Sequence, residues 1–323
     1  MGRDGPTTLL RAAIGAVIFS PMVDAFSRDS LWLLPRNGGP GRAAGVAVAP
    51  ATGPGGTAAT ASDSGNTDTN HNNTPSDDDD DDDYDVLASL FGSPEARDGF
   101  FANDFGTNVV HIRRSETGSN NIEDLGLPCI DPSDGSMDMK VLFDTSECIA
   151  LRKRGSLHYL NKTSTTYEDF CGYIAREKGS AVVPVAEENA LMPFRGAIED
   201  AVNDRNSNNG SGGLGLGVSI DVGINVYHSG PGAVALTRHR DRYDVLVLHL
   251  DGQKEWEIGV FPEDGDAIAD DTDPAAIERV VSWNNATLVP GDLLYIPRGV
   301  FHAATTAAGF NSTTHATIAL EYD

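Results

Sequence analysis

From residue 217 to 322 the chain is a series of short apolar segments alternating with period two and broken by sharp turns, and this pattern restricts the fold most. "VSIDVGINVY" (218–227) puts Val218, Ile220, Val222, Ile224 and Val226 on one face, because successive strand side chains point to opposite sides. "DVLVLHL" (244–250) and "QKEWEIGV" (253–260) flank Asp251-Gly252, a two-residue hairpin signal. "TLVPGDLLYIP" (287–297) carries a Pro-Gly pair suited to a type II turn, and "THATIALEY" (314–322) alternates again. Strands at this spacing predict a double-sheet antiparallel architecture, a jelly roll.

The residues upstream read differently. Residues 37–76 are Gly, Ala, Thr, Ser, Asn and Pro with almost no large apolar residue, and Asp77–Asp83 is an unbroken acidic run. Such a stretch buries too little surface to offset its ordering entropy, so 1–83 is expected to be a disordered leader and linker. Arg3 and Arg11 ahead of "AAIGAVIFSPMV" (12–23) have the features of a targeting signal over 1–25. That apolar stretch is too short to span a bilayer, and Pro21 interrupts it, so no transmembrane segment is expected. Order is expected from Tyr84, with a helix in "YDVLASLFG" and a strand in "TNVVHIRR" (107–114). "TTYEDFCGYIAREKG" (165–179) predicts a helix capped by Thr166 and Asp169 and stopped by Gly179, and "ALMPFRGAIEDAVND" (190–204) a second one after Pro193. The expected organisation is mainly β: a leader over 1–83, a mixed α/β cap over 84–212 and a jelly-roll core over 213–323.

A net charge of −25 argues against direct nucleic-acid binding, which needs basic stripes, and suits a basic protein partner. Cys129, Cys148 and Cys171 lack metal spacing and read as ordinary thiols.

"LTRHRD" (236–241) departs from an apolar pattern. On a strand His239 and Asp241 share a face while Arg238 and Arg240 point away. Downstream, "PGDLLYIPRGVFH" ends in His302. Two histidines and a carboxylate with open positions is the arrangement of non-haem Fe(II) oxygenases. In "QKEWEI", Lys254 falls with Trp256 and Ile258 on the apolar side; an unpaired buried ammonium costs several kcal/mol, so it either reaches solvent or pairs with an anion. Asn225 and Tyr227 lie on the polar face of their strand, placed to line a pocket for a bound acid. His111, His249 and His315 have no partner at metal spacing and read as structural, His71 falls in the linker, and His158 and His228 read as surface loop residues.

"NVYHSGPGAVALTRHRDRYDVLVLHLDGQKEWEIG" and "LVPGDLLYIPRGVFHAATT" resemble the JmjC-type cupins of the ribosomal-oxygenase family, bifunctional histidyl hydroxylases and lysine demethylases. "FFANDFGTNVVHIRR" (100–114) is similar to the family's aromatic-rich helix leading into a strand. The resemblance implies that His239, Asp241 and His302 hold Fe(2+), and that Lys254, with Asn225 and Tyr227 nearby, binds the cosubstrate 2-oxoglutarate. O2 is then the second cosubstrate, and the substrate a ribosomal protein or histone side chain. It implies a nuclear or nucleolar location, against the organellar or secretory route that a signal over 1–25 would give. A metal cupin of another class, such as an isomerase, which has no need of Lys254, or a metal-free binding cupin, which would need neither Asp241 nor His302, is the alternative.

Overall fold

The computed structural model describes residues 85–117, 122–153, 156–207, 214, 216–261 and 274–322, with the backbone of Val46–Val48. The targeting signal, the acidic run and His71 lie outside the described residues. Val46–Val48 is the exception within the leader: it forms a short strand, β1, parallel to residues 109–111.

The remaining strands are β2 (Val109–Ile112), β3 (Ala150–Lys153), β4 (Ser156–Tyr159), β5 (Ser180–Pro184), β6 (Asp221–Ser229), β7 (Asp244–Asp251), β8 (Lys254–Val260), β9 (Ser282–Leu288), β10 (Leu293–Ile296), β11 (His302–Thr306) and β12 (Thr313–Glu321). They form a nine-stranded sheet in the order β1-β2-β10-β7-β12-β6-β5-β3-β4 and a three-stranded sheet in the order β11-β8-β9.

β7 shows why these residues fold this way. Val245 and Val247 pack with Trp256, Ile258 and Leu288 of the smaller sheet. Leu246, Leu248 and Leu250 pack on the opposite face among side chains from the helices. A strand covered on both sides reads as a continuous apolar run rather than an alternating one, and "VLVLHL" does. Each of these side chains, fully buried, contributes roughly 1.5–3 kcal/mol.

The helices cover the outer face of the large sheet. Asp85 caps Val86–Phe91 by accepting from the Ala88 amide at 2.8 Å, and Ser93 caps Pro94–Asn103. These caps satisfy amides that a helix start leaves without partners. Phe100 and Phe105 then close on Tyr295 of β10, with Phe100 edge-on to it at 4.7 Å and Phe91 packed against Phe100. Helix Tyr167–Glu177 carries the expected capping box of Thr166 and Asp169.

Several expectations need correction. Asp251-Gly252 does not close a hairpin: β7 pairs with β10 and β12, and β8 with β9 and β11. The pair is a corner that passes the chain from one sheet to the other. Gly252 sits at φ 72, and a Cβ there would lie 2.4 Å from the Ser312 carbonyl oxygen. Pro290-Gly291 does turn in the type II manner, with Gly291 at φ 90 and the Asp292 amide donating to the Val289 carbonyl at 3.0 Å. It too changes sheets. Val218 lies ahead of β6 and is 38% exposed, whereas Ile220, Val222, Ile224 and Val226 are buried as expected. The helix over 167–177 ends on Lys178, in the left-handed region at φ 51, and Gly179 instead offers its carbonyl to the Gly230 amide. Pro193 lies inside the first turn of Met192–Ser207 rather than before it, a place where its missing N–H costs nothing. His158 and His228 sit in β4 and β6, not in loops. Among the described residues, no helix is long and apolar enough to cross a membrane.

Candidate metal centre and acid pocket

The segment carrying His239 and Asp241 was expected to be a strand; it is a loop that touches the sheet at a single antiparallel bridge between His239 and His302. That bridge sets the two imidazoles 4.3 Å apart, centroid to centroid. Asp241 completes the group, its carboxylate oxygens 4.0 Å from His239 Nε2 and 3.5 Å from His302 Nε2. The three ligand atoms lie within 4.8 Å of one another.

Both histidines are turned the same way. His239 Nδ1 lies 2.9 Å from the Thr237 carbonyl and His302 Nδ1 3.0 Å from the Val300 carbonyl. A carbonyl only accepts, so each Nδ1 carries a proton and each Nε2 is the atom turned toward Asp241. Burial, aided by the neighbouring His239, lowers the His302 pKa to about 4, so His302 is neutral near neutral pH. Two imidazoles held in one orientation and one carboxylate fit a first-row divalent metal.

The scaffold behind the ligands ties their loops together. The Gly299 amide donates to the Asp241 carbonyl at 2.8 Å. Buried Asp244 accepts from the Arg298 amide at 2.7 Å and from Tyr322 Oη at 2.6 Å, fixing the turn that leads into His302.

Along β8, Lys254, Trp256 and Ile258 are buried and Glu255 is exposed, the alternation expected for an inward lysine. Lys254 is 2% exposed, and its Nζ donates to Ser229 Oγ at 3.1 Å. Burial lowers its pKa to about 7. Across the ladder Thr306 stands opposite Lys254 and His302 opposite Ile258, so one face of β8 and β11 runs from the triad to the lysine. Thr306 Oγ1, Thr313 Oγ1 and Trp256 Nε1 are buried without a partner among the described residues. A buried ammonium among unused hydroxyl and indole donors fits a carboxylate ligand.

Asn225 and Tyr227, expected on a polar face, are 7% and 6% exposed. They share the side of β6 from which Ser229 meets Lys254, and Tyr227 stacks on His315 with centroids 5.0 Å apart. His111 is structural as read, its Nε2 3.2 Å from Asp292 Oδ2. His249 is buried with Nε2 3.1 Å from the Gly252 carbonyl, and His228 Nδ1 lies 2.9 Å from Thr314 Oγ1. His315, read as structural, sits beside the lysine: its Nδ1 lies 3.2 Å from Lys254 Nζ. No local signal marks it, because register alone brings it there.

Residues 216–322 match the JmjC domain family. Ribosomal oxygenase 2 of Bos taurus is 38% identical over 97 residues, 29% of this chain and 20% of that protein. The bifunctional lysine-specific demethylase and histidyl-hydroxylase NO66 of Dictyostelium discoideum is 32% identical over 90 residues, 27% of this chain and 18% of that protein. The chain thus spans 20% or less of the length of these curated relatives. Among solved structures, Escherichia coli ribosomal oxygenase YcfD is 17% identical, covering 70% of this chain and 51% of that one, at a TM-score of 0.40.

Proposed function

We propose, from the premise that residues 216–322 are a JmjC domain of the ribosomal-oxygenase type, that this protein is an Fe(II)- and 2-oxoglutarate-dependent dioxygenase hydroxylating a protein side chain. One observation carries the reading: His302, which gathers His239 and Asp241 beside it, lies on the same ladder as Lys254, a buried lysine with no carboxylate partner among the described residues.

In this reading His239, Asp241 and His302 would hold iron. Bound iron supplies the redox chemistry that couples oxidative decarboxylation of 2-oxoglutarate to insertion of one oxygen atom of O2 into a C–H bond. The protein's own contributions are positional. Thr237 and Val300 carbonyls hold the imidazole tautomers. Lys254 holds the far carboxylate of the acid, and the unpartnered hydroxyls of Thr306, across the ladder from Lys254, and Thr313, across from Ser229, are the nearest further donors by register. Trp256, 6.0 Å from His302 and two residues along from Lys254, walls the space between them against water. A net charge of −25 favours a basic protein substrate, a ribosomal protein or a histone.

The test is succinate formation from 2-oxoglutarate by the purified protein with Fe(II), ascorbate and air, followed by mass spectrometry of ribosomal proteins and histones for a gain of one oxygen. Iron binding without any succinate would favour a non-oxygenase metal cupin.

A further inference from the structure

We infer that His315 is a positioning residue for the acid cosubstrate: it accepts a hydrogen bond from the Lys254 ammonium and, held flat against Tyr227, fixes that ammonium at the end of the pocket. The inference rests on the 2-oxoglutarate reading and adds a residue that neither the metal triad nor the lysine implies.

The geometry has three parts. Lys254 Nζ lies 3.2 Å from His315 Nδ1. An ammonium only donates, so when Lys254 is charged Nδ1 is the acceptor and Nε2 carries the proton. The ring itself has little freedom: it lies 7° from parallel to Tyr227 at 5.0 Å and edge-on to Trp256 at 5.5 Å. Register places it there, since β12 sets His315 between Tyr227 of β6 and His249 of β7.

A flexible lysine loses much of its advantage as an anion receptor unless something pre-orders its four-carbon stem. Ser229 and His315 supply two of the ammonium's three hydrogen-bond acceptors. One N–H remains for a carboxylate oxygen. The surrounding titratable groups are all neutral or cationic: His315 and Tyr227, with His249 and His228 on the neighbouring strands. Burial and the nearby lysine hold the three histidines well below their ordinary values. His315 therefore acts as a neutral acceptor that lets the lysine remain charged.

The test compares wild type with His315→Leu, His315→Asn and His315→Gln, measuring iron content, thermal melting, and kcat and KM for 2-oxoglutarate between pH 6 and 9. Asn places its carboxamide oxygen near the Nδ1 position, whereas Gln reaches toward Nε2. Losing a hydrogen bond to a charged group predicts a 2-oxoglutarate KM roughly ten-fold to a hundred-fold higher in His315→Leu. Iron content and kcat should stay near wild type, and the rise of KM with pH should begin at lower pH. His315→Asn should restore most of the loss and His315→Gln should not. If Leu does not fold, the Asn and Gln pair decides on its own. Equal KM values and pH profiles in Asn and Gln, or a wild-type KM in Leu, overturn the inference while leaving the oxygenase reading standing. Absence of 2-oxoglutarate turnover in wild type removes the reading beneath both.

Discussion

His239 and His302 are bonded to each other through their backbones: the His239 amide donates to the His302 carbonyl at 3.0 Å, and the His302 amide returns the bond at 2.7 Å. The spacing of the two imidazoles is thus set by a ladder element and does not depend on a metal. Asp241→Ala should leave the histidine pair in place but remove the only anionic donor. Fe(II) affinity is expected to fall by at least about a hundredfold, more than losing a hydrogen-bond partner behind a ligand costs, with melting of the metal-free protein little changed. Metal analysis after dialysis, beside calorimetry, checks this; retained stoichiometric iron would refute the triad.

Lys254→Ala leaves a carboxylate in a buried pocket without its counter-charge. Breaking one side of a buried pair costs roughly 3–5 kcal/mol, or about a hundredfold to several-thousandfold in 2-oxoglutarate affinity. Iron content should remain near wild type, since the lysine is not a ligand. Lys254→Arg should recover part of the loss. For the wild type, affinity should weaken as pH rises through about 7, where the empty pocket loses its ammonium. Calorimetric titration across pH measures both effects, and a pH-independent affinity would contradict the role given to Lys254.

The buried histidines predict acid sensitivity. Burial lowers His228, His249 and His302 to about 4, below the ordinary 6.5. Between those values the unfolded chain binds more protons than the folded one, so stability is intact above about 6.5 and falls as pH drops toward 4. Each group contributes up to ~1.4 kcal/mol per pH unit in that window. Denaturant titrations of metal-free protein at pH 7, 6 and 5 should show falling midpoints; His228→Gln should shallow the trend.

What the sequence made legible follows from how far each signal reaches. The alternation within β6 from Ile220 onward and the inward Lys254 are local patterns that the structure keeps, whereas His239 and Asp241 come together on a loop rather than by strand periodicity. Asp251-Gly252 misled because turn chemistry says only that the chain bends, not which sheet receives it. The surroundings of His315 were illegible for a related reason. Its neighbours Tyr227, His249 and Lys254 lie 88, 66 and 61 positions earlier, and only strand order brings them together. Asn225 and Tyr227 were expected on a polar face, whereas both faces of β6 are covered.

Gly252→Ala tests the corner that replaced the hairpin. The substitution combines a left-handed φ with a Cβ 2.4 Å from backbone at Ser312, so the chain itself must move. A loss of at least about 1–2 kcal/mol is expected, with weaker 2-oxoglutarate binding because Lys254 lies two residues on. Gln253→Ala, beside it, should be nearly silent.

The place of β12 in the large sheet has a kinetic consequence. It lies between β6 and β7, pairing with β6 from Asp221↔Glu321 to Thr313↔Ser229. While a ribosome is still synthesising β12, β6 and β7 each present an unpaired apolar edge, and the gap between them can close only when the final strand arrives. Such late, long-range pairing slows folding and leaves a template for association with other chains. The metal ligands all precede β12, but the wall of the acid pocket that holds His315 does not. In the proposed reading, a nascent chain therefore acquires the three candidate metal ligands well before the residues proposed to hold the cosubstrate are complete.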